Sequence, residues 1–226
     1  MNKHAKLIVI EGSDGCGKQT QTALVYNSLK QKYNGMQISF PDYDSDGSAP
    51  VKKYLNGELG TVDKYSAAVL FATDRYITWK TKLQEHYEDL DFIISDRYTI
   101  SNLIHQAVDL DDKEFNEYRD WLFDLEWTKM GLPKPDLTIM LDMPPAMSDE
   151  LIQGRKNKMT GKDELDVLER DKQHKRKAYK NIQRIIKSDD VVCVKCYDWR
   201  GDIRSILDIK SEILDIISEF MQTNKI

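Results

Sequence analysis

A glycine-rich segment near the start of the chain has the residue types and the spacing of a phosphate-binding loop. Its residues are Gly12, Ser13, Asp14, Gly15, Cys16, Gly17, Lys18, Gln19 and Thr20. Glycines let the backbone wrap around an anion with its N–H groups pointing inward, and Lys18 adds a full positive charge where a helix should begin. The apolar run at residues 6–10 predicts a buried strand before the segment, and a helical pattern at residues 21–32 follows it. This order of strand, loop and helix is the context that phosphate binding requires.

Two other interpretations of the segment fit its residues less well. A glycine-rich turn without a ligand does not explain why Gly17 and Lys18 stand together at a helix start, and a dinucleotide-binding loop would need a glycine where Thr20 stands. The phosphate-loop pattern has one departure, because Gln19 occupies the position that usually holds a serine or threonine. We therefore expect the loop to bind phosphate, with one usual hydroxyl group missing.

Further apolar runs of strand length alternate with helical patterns along the chain. They lie at residues 36–40, 92–95, 137–141 and 191–195. Strands separated by helices pair in parallel and are covered on both faces, and ligands bind at the carboxyl ends of such strands. The sequence predicts a three-layer α/β fold with a five-stranded parallel sheet, and the 226 residues suit one domain over residues 1–226.

A long helix is predicted from about residue 65 to residue 86, with one apolar stripe that should face the core. The stripe consists of Val69, Ala72, Tyr76, Trp79 and Leu83. Phe71 and Arg75, one turn apart, share a different face, where an aromatic ring and a guanidinium could flank a planar ring. A second packing contact with an incidental arginine is the alternative.

Polar residues follow the third and fourth predicted strands, at the sheet edge where the loop should lie. Arg97 could bind a second phosphate there. Asn102 and Gln106, one helical turn apart, carry amide groups that suit the edge of a nucleobase, although alone they would be ordinary surface residues. Asp96 and Asp142 are candidate carboxylates for a magnesium ion held through water.

A basic segment stands out in this acidic chain. Residues 155–162 (RKNKMTGK) contain four cations, among them Arg155, Lys158 and Lys162. We expect a lid at about residues 153–166 that closes over ATP, excludes water and supplies positive charge to the transferring phosphoryl group. A solvated loop is the alternative.

Composition narrows the function classes. The net charge of −5 argues against a general nucleic-acid binder, and the lack of a long apolar run argues against a membrane span or a signal peptide. The three cysteines fit a reducing compartment, so we expect a soluble cytoplasmic protein. Cys193 and Cys196 have the spacing of a redox or zinc motif, but they lie in an apolar strand pattern that favours a structural role.

In chain order, the motifs resemble those of the thymidylate kinases, which are P-loop nucleoside-monophosphate kinases that transfer the γ-phosphoryl group of ATP to dTMP. The resemblance covers nearly the whole chain. Its marks are Ile10-Glu11-Gly12 with Asp14, Phe40-Pro41-Asp42, residues 70–75 (LFATDR), residues 96–102 (DRYTISN), and Leu141-Asp142 with Pro144-Pro145.

The resemblance implies MgATP as phosphoryl donor, dTMP as acceptor, the lid and a homodimer. It implies an acceptor site made of Asp14, Pro41, Phe71, Arg75, Arg97, Ser101, Asn102 and Gln106, and a catalytic set of Asp14, Lys18, Arg97 and Arg155. Phe71 would stack on thymine, Arg75 and Asn102 would bond its edge, and Arg97 would hold the acceptor phosphate.

Some positions depart from the family pattern. Gly15 leaves the loop without a further basic side chain, so Arg155 or Lys158 must supply the catalytic charge, and Tyr43 stands where many relatives carry an arginine. Alternatives are a kinase for another nucleoside monophosphate or a deoxynucleoside, and a nucleotide-binding protein without turnover. A GTP-binding switch is disfavoured, because residues 157–160 (NKMT) lack the final aspartate of the guanine motif.

Overall fold

The computed structural model describes residues 4–152, 171–188 and 191–223. The predicted lid at residues 153–166, with Arg155, Lys158 and Lys162, lies outside the described residues.

Five strands form one sheet in which every pair is parallel. The strands are β1 (Lys6–Gly12), β2 (Gly35–Ser39), β3 (Phe92–Asp96), β4 (Leu137–Asp142) and β5 (Val192–Lys195), in the spatial order β2-β3-β1-β4-β5. Central β1 pairs Ile10 with Asp96 of β3 and Gly12 with Leu141 of β4. The carboxyl ends of three strands therefore meet where the glycine-rich segment begins, and the predicted sheet is confirmed.

Helices cover both faces of the sheet. They are α1 (Lys18–Leu29), α2 (Ala49–Leu55), α3 (Lys64–Thr78), α4 (Ile100–His105), α5 (Asp112–Phe123), α6 (Pro145–Ile152), α7 (Lys172–Ser188) and α8 (Ile206–Thr223). Side chains of β1 alternate between the faces: Ile8 and Ile10 pack in a cluster with α1 and α8, while Leu7 and Val9 pack on the opposite side. Within the described ranges, no helix combines the length and apolarity needed to cross a membrane.

The start of α1 differs from the prediction by three residues. The helix begins at Lys18, directly after the glycine-rich segment, rather than at residue 21. The N–H groups of a first helical turn have no partner within the helix, so this earlier start places additional donors at the loop.

The predicted helix over residues 65–86 is not continuous. After α3 the chain forms a π-helical turn (Trp79–Leu83) and a 3-10 turn (Gln84–His86). A π-turn contains more residues per turn than an α-helix, so it changes the direction in which later side chains point. This explains why Leu83 is buried although it follows exposed members of the same predicted stripe.

The prediction that Val69 and Tyr76 face the core is wrong. They are 41% and 36% exposed, whereas Ala68 and Ala72 are fully buried. Ala68 packs in one apolar cluster with Leu103 and Ile104 of α4, and its carbonyl accepts a hydrogen bond from the side chain of Asn102. Of the predicted stripe, Val69 and Tyr76 remain exposed among the residues that the structure describes.

The cysteines pack with the core. Cys16 and Cys196 are buried in the cluster formed by β1, α1 and α8, and all three cysteines are free thiols. Burial raises the pKa of each of the three thiols, which keeps them protonated and poorly nucleophilic. These environments favour the structural interpretation of Cys193 and Cys196.

Candidate active site

The glycine-rich loop connects the buried end of β1 to the start of α1. Gly17, the residue before α1, has φ of 87°, in the left-handed region that favours glycine. A Cβ atom at Gly12 would lie 2.8 Å from the carbonyl oxygen of Leu141, so only glycine lets the loop pack this closely on β4. The loop is thus held against the sheet with the amino end of α1 at its far side.

Lys18 lies within this loop. Its side chain is 6% exposed, and Nζ donates a hydrogen bond of 2.6 Å to the carbonyl oxygen of Ser13. The backbone of the loop therefore holds the ammonium group of Lys18 in place. This arrangement supplies a fixed cation beside the free N–H groups of α1, as an anionic phosphate requires.

A cavity of about 280 Å³ opens over the loop. Its polar wall consists of residues 14–21 together with Asp96, Arg97 and Arg204, and its apolar wall includes Met143, Leu151, Ile203, Ile206 and Ile209. The sequence motifs predicted the polar residues of this wall except Gln21 and Arg204. They did not predict the apolar wall, which comes from two stretches of the chain, residues 143–151 and 203–209.

Arg97 lines the same cavity as Lys18 and is fixed by several contacts. Its guanidinium forms an ion pair with Asp14 and approaches Ser101 Oγ at 3.3 Å and His105 Nε2 at 3.2 Å. Burial lowers the pKa of Arg97, but Asp14 and Asp96 raise it by more, so the side chain stays charged. The predicted phosphate-binding arginine is therefore positioned before any ligand arrives.

His105 contributes an acceptor to this arrangement. A guanidinium only donates hydrogen bonds, so His105 Nε2 must accept from Arg97, and the neutral ring then carries its proton on Nδ1. Burial lowers the pKa of His105 to about 3, Asp14 opposes this shift and Arg97 adds to it. The ring stacks on that of His174, with centroids 5.8 Å apart and planes at 11°.

Glu11 fastens the start of α4 to the sheet. This fully buried carboxylate accepts from the backbone N–H groups of Tyr98 and Ser101, at 2.7 and 3.0 Å, and from Ser101 Oγ at 2.8 Å. Burial raises the pKa of Glu11, and the charge of Arg97 opposes this. Glu11 was not predicted to have a role, although an acidic residue within an apolar strand is an available signal.

Arg75 and Glu126 form a buried ion pair that also contacts Thr99, the residue before α4. Arg75 Nε donates to Glu126 Oε2 at 2.7 Å, and Nη2 donates to Oε1 at 2.5 Å. Burial lowers the pKa of Arg75, but Glu126 outweighs this and raises it. Glu126 is not among the residues predicted from the sequence.

The other predicted base-binding residues lie on the adjoining faces of α3 and α4. Phe71 is half-buried, and its ring meets that of Tyr54 edge-on at a centroid distance of 6.0 Å. Asn102 is buried and donates to the carbonyl of Ala68 at 3.3 Å, while Gln106 is buried one turn further on. The predicted set thus spans two neighbouring helices beside, and not within, the wall of the phosphate cavity.

The two candidate magnesium carboxylates have different surroundings. Asp96 lies in the cavity wall. The end of β2 is close to it, since the N–H of Phe40 donates a hydrogen bond of 2.9 Å to the carbonyl oxygen of Asp96. Asp142 instead accepts from three side chains: Tyr179 at 2.9 Å, Gln183 at 2.8 Å and Tyr197 at 3.2 Å. The structure therefore brings Asp96 to the phosphate loop and does not bring Asp142 there.

No preformed metal site is evident in the part of the chain that the structure describes. No group of three or more His, Cys, Asp or Glu side chains there lies close enough to hold an ion. Magnesium bound with a nucleotide needs only one or two protein carboxylates, since phosphate oxygens and water supply its remaining ligands. The buried carboxylate of Asp96 beside Lys18 fits that requirement.

Comparison with known proteins agrees with this geometry. The family model for thymidylate kinase matches residues 10–195. The thymidylate kinase of Mycobacterium tuberculosis is 31% identical over 169 residues, which cover 73% of this chain and 78% of that protein. The Schizosaccharomyces pombe thymidylate kinase is 28% identical over 94% of this chain and 91% of its own length.

The fold is also that of a solved thymidylate kinase. The Candida albicans enzyme superposes with a TM-score of 0.70 at 24% identity, covering 98% of this chain and 93% of that chain. The five-stranded parallel sheet and the family match agree with the expectations drawn from the sequence motifs. The chain belongs to the thymidylate kinase family.

Proposed function

We propose that this kinase transfers the γ-phosphoryl group of ATP to dTMP, giving dTDP and ADP. The observation that carries the proposal is that Lys18 and Arg97, two anchored cations, face one cavity at the same sheet edge. One cation can hold the phosphates of a donor while the other holds the phosphate of an acceptor. Family membership supports the same reaction.

The chemical step needs little more than positioning and charge. The acceptor phosphate oxygen attacks the γ-phosphorus in line, and the bond to the bridging oxygen of ADP breaks. Lys18 and the N–H groups of α1 hold the donor phosphates, while Arg97, kept in place by Asp14, holds the acceptor phosphate. The lid cations Arg155, Lys158 and Lys162 supply further charge to the equatorial oxygens.

Magnesium is proposed as the cofactor. When bound, it would neutralise charge on the donor phosphates, and Asp96 is the residue that would hold it, through water. Gln19 offers no hydroxyl group, so the protein contributes fewer direct ligands than the usual loop does. Thr20, the next residue, also lies in the cavity wall.

The acceptor base is assigned to the faces of α3 and α4. Phe71 stacks on the pyrimidine ring, Arg75 donates to its O4 atom, and Asn102 and Gln106 bond the remaining edge, next to Pro41 and Ser101. The Candida albicans enzyme is described as having broad substrate specificity. Turnover with dTMP compared with other nucleoside monophosphates is therefore the direct test of the proposal.

We further propose that the chain acts as one domain with a lid at residues 153–166 and works as a cytoplasmic homodimer without nucleic-acid partners. The support for a dimer is the apolar face of α3 formed by Val69 and Tyr76, which are 41% and 36% exposed in the described part of the chain. A second copy of the chain packing on this face would bury it. Sedimentation of the wild type and of Val69→Lys tests this, with a monomeric variant expected.

A further inference from the structure

Glu126 is buried at the centre of a short polar network. It has 0% exposure and lies in a π-helical turn (Asp124–Lys129) that follows α5. Besides the two bonds from Arg75, its carboxylate accepts from Thr99 Oγ1 at 2.8 Å. Trp127 Nε1 donates to the same threonine oxygen at 3.3 Å. A buried carboxylate is costly unless its oxygens are satisfied, and these contacts satisfy both.

The ion pair fixes the direction of the remaining donors of Arg75. A guanidinium is planar and carries five N–H groups, two of which point at Glu126 through Nε and Nη2. The plane is set by this paired contact, so the N–H groups on the far side of the guanidinium also have fixed directions. Arg75 is 2% exposed, which leaves the long side chain little freedom to turn elsewhere.

The network also joins the two ends of the acceptor site. Thr99 stands between Arg97, which faces the phosphate cavity, and α4, which carries Ser101 and Asn102. The hydrogen bond from Thr99 to Glu126 therefore fixes the position of Arg75 relative to Arg97, which is proposed to bind the acceptor phosphate. The distance between phosphate and base is constant within a nucleotide, so such a link is useful for recognition.

We propose that Glu126 is a positioning residue for base recognition, which holds Arg75 so that its donors meet a carbonyl oxygen at position 4 of a pyrimidine and oppose an amine there. The inference rests on the proposed function, because it assigns Arg75 to the edge of the acceptor base. Glu126 itself does not touch the substrate. A charged guanidinium can only donate, so an amine at position 4 leaves donors opposed, whereas the carbonyl of thymine completes the hydrogen bonds.

The test is Glu126→Gln, which keeps the shape but presents an NH2 group to one of the Arg75 donors. We measure KM and kcat for dTMP with saturating MgATP, and the inhibition constant of dCMP as competitor. In the wild type, dTMP should bind far better than dCMP. In the variant the KM for dTMP should rise about tenfold or more and the preference over dCMP should fall by a similar factor, while kcat changes less than about threefold.

Glu126→Asp is the matched control, because it keeps the carboxylate and loses one methylene. We expect it to retain more of the preference than Glu126→Gln. Thermal unfolding of each protein shows whether it folds, and if Glu126→Gln does not, Thr99→Val takes its place. Loss of the Thr99 bond should then lower the preference about two- to fivefold without lowering kcat.

Two results would overturn the inference. One is a folded variant with the wild-type preference, and the other is an equal loss of affinity for dTMP and dCMP, which a purely structural role predicts. Either result leaves the proposed function intact as long as the wild type phosphorylates dTMP. A wild type that does not phosphorylate dTMP would instead contradict the proposed function itself.

Discussion

The ion pair between Arg97 and Asp14 joins the loop after β1 to the residue after β3. The ion pair holds Arg97, the proposed ligand of the acceptor phosphate, at the wall of the cavity over the glycine-rich loop. Asp14→Asn removes the charge of the partner while keeping its shape, so Arg97 should lose its fixed orientation. We expect kcat/KM for dTMP to fall on the order of 10²-fold in steady-state assays. Wild-type kinetics in a folded Asp14→Asn protein would contradict this role.

Lys18 and its neighbour Gln19 should differ sharply in importance. Lys18 is buried and held by Ser13, whereas Gln19 is exposed at the loop surface. Lys18→Ala should nearly abolish turnover, while Gln19→Ala at saturating magnesium should cost less than about tenfold. Gln19→Thr should lower the magnesium concentration needed for half-maximal rate. Magnesium titrations of all three variants are the measurement, and a Gln19→Ala protein as inactive as Lys18→Ala would show that the amide is required.

Asp74 should make stability depend on pH. Burial raises its pKa from 3.8 to about 6, an effect that the backbone N–H of Asp42 and the charges of Arg75 and Lys82 oppose and the Asp42 carboxylate reinforces. Between pH 3.8 and 6 the folded protein keeps a proton that the unfolded chain releases, so this group lowers stability as pH rises through that window. Asp74→Asn should therefore be more stabilising, or less destabilising, at pH 7 than at pH 4. Denaturant unfolding at both pH values checks this, and an equal effect at both would contradict it.

The lid should supply the charge that the loop lacks. Gly15 gives the loop no basic side chain beyond Lys18, so Arg155→Ala should lower kcat on the order of 10²-fold and change the KM for ATP and dTMP much less. Lys156→Ala, in the same segment, is the matched control and should retain most of the rate. An unchanged kcat in Arg155→Ala would assign the catalytic charge to Lys158 or Lys162.

The sheet and the loop were predictable because their signals are local. Residues 7–10 are continuously apolar, and the glycines with Lys18 follow shortly after them in a fixed pattern. Strands β2 to β5 agree with the predicted runs within one or two residues. Local patterns also placed Arg97 and Asp96 correctly at the loop.

The contacts that complete the site join residues far apart in the chain. Glu11 meets Ser101 across 90 positions, and Arg75 meets Glu126 across 51. No local pattern indicates such a pair, because each member depends on how separate elements pack. The same limit explains α3, where the periodicity of Val69 and Tyr76 identified an apolar face but not the surface that covers it.

The most direct test of the account measures ADP release from MgATP with dTMP, dUMP, dCMP and AMP as acceptors. Phe71, Arg75 and Asn102 should favour a pyrimidine with a carbonyl at position 4, so dTMP should give the highest kcat/KM and dUMP the next. In dCMP the amine at position 4 would face the N–H donors of Arg75, at a cost of about 1–3 kcal/mol. This cost corresponds to a preference for dTMP over dCMP of roughly 5- to 150-fold. A higher kcat/KM with dCMP or AMP than with dTMP would contradict the assignment of this site.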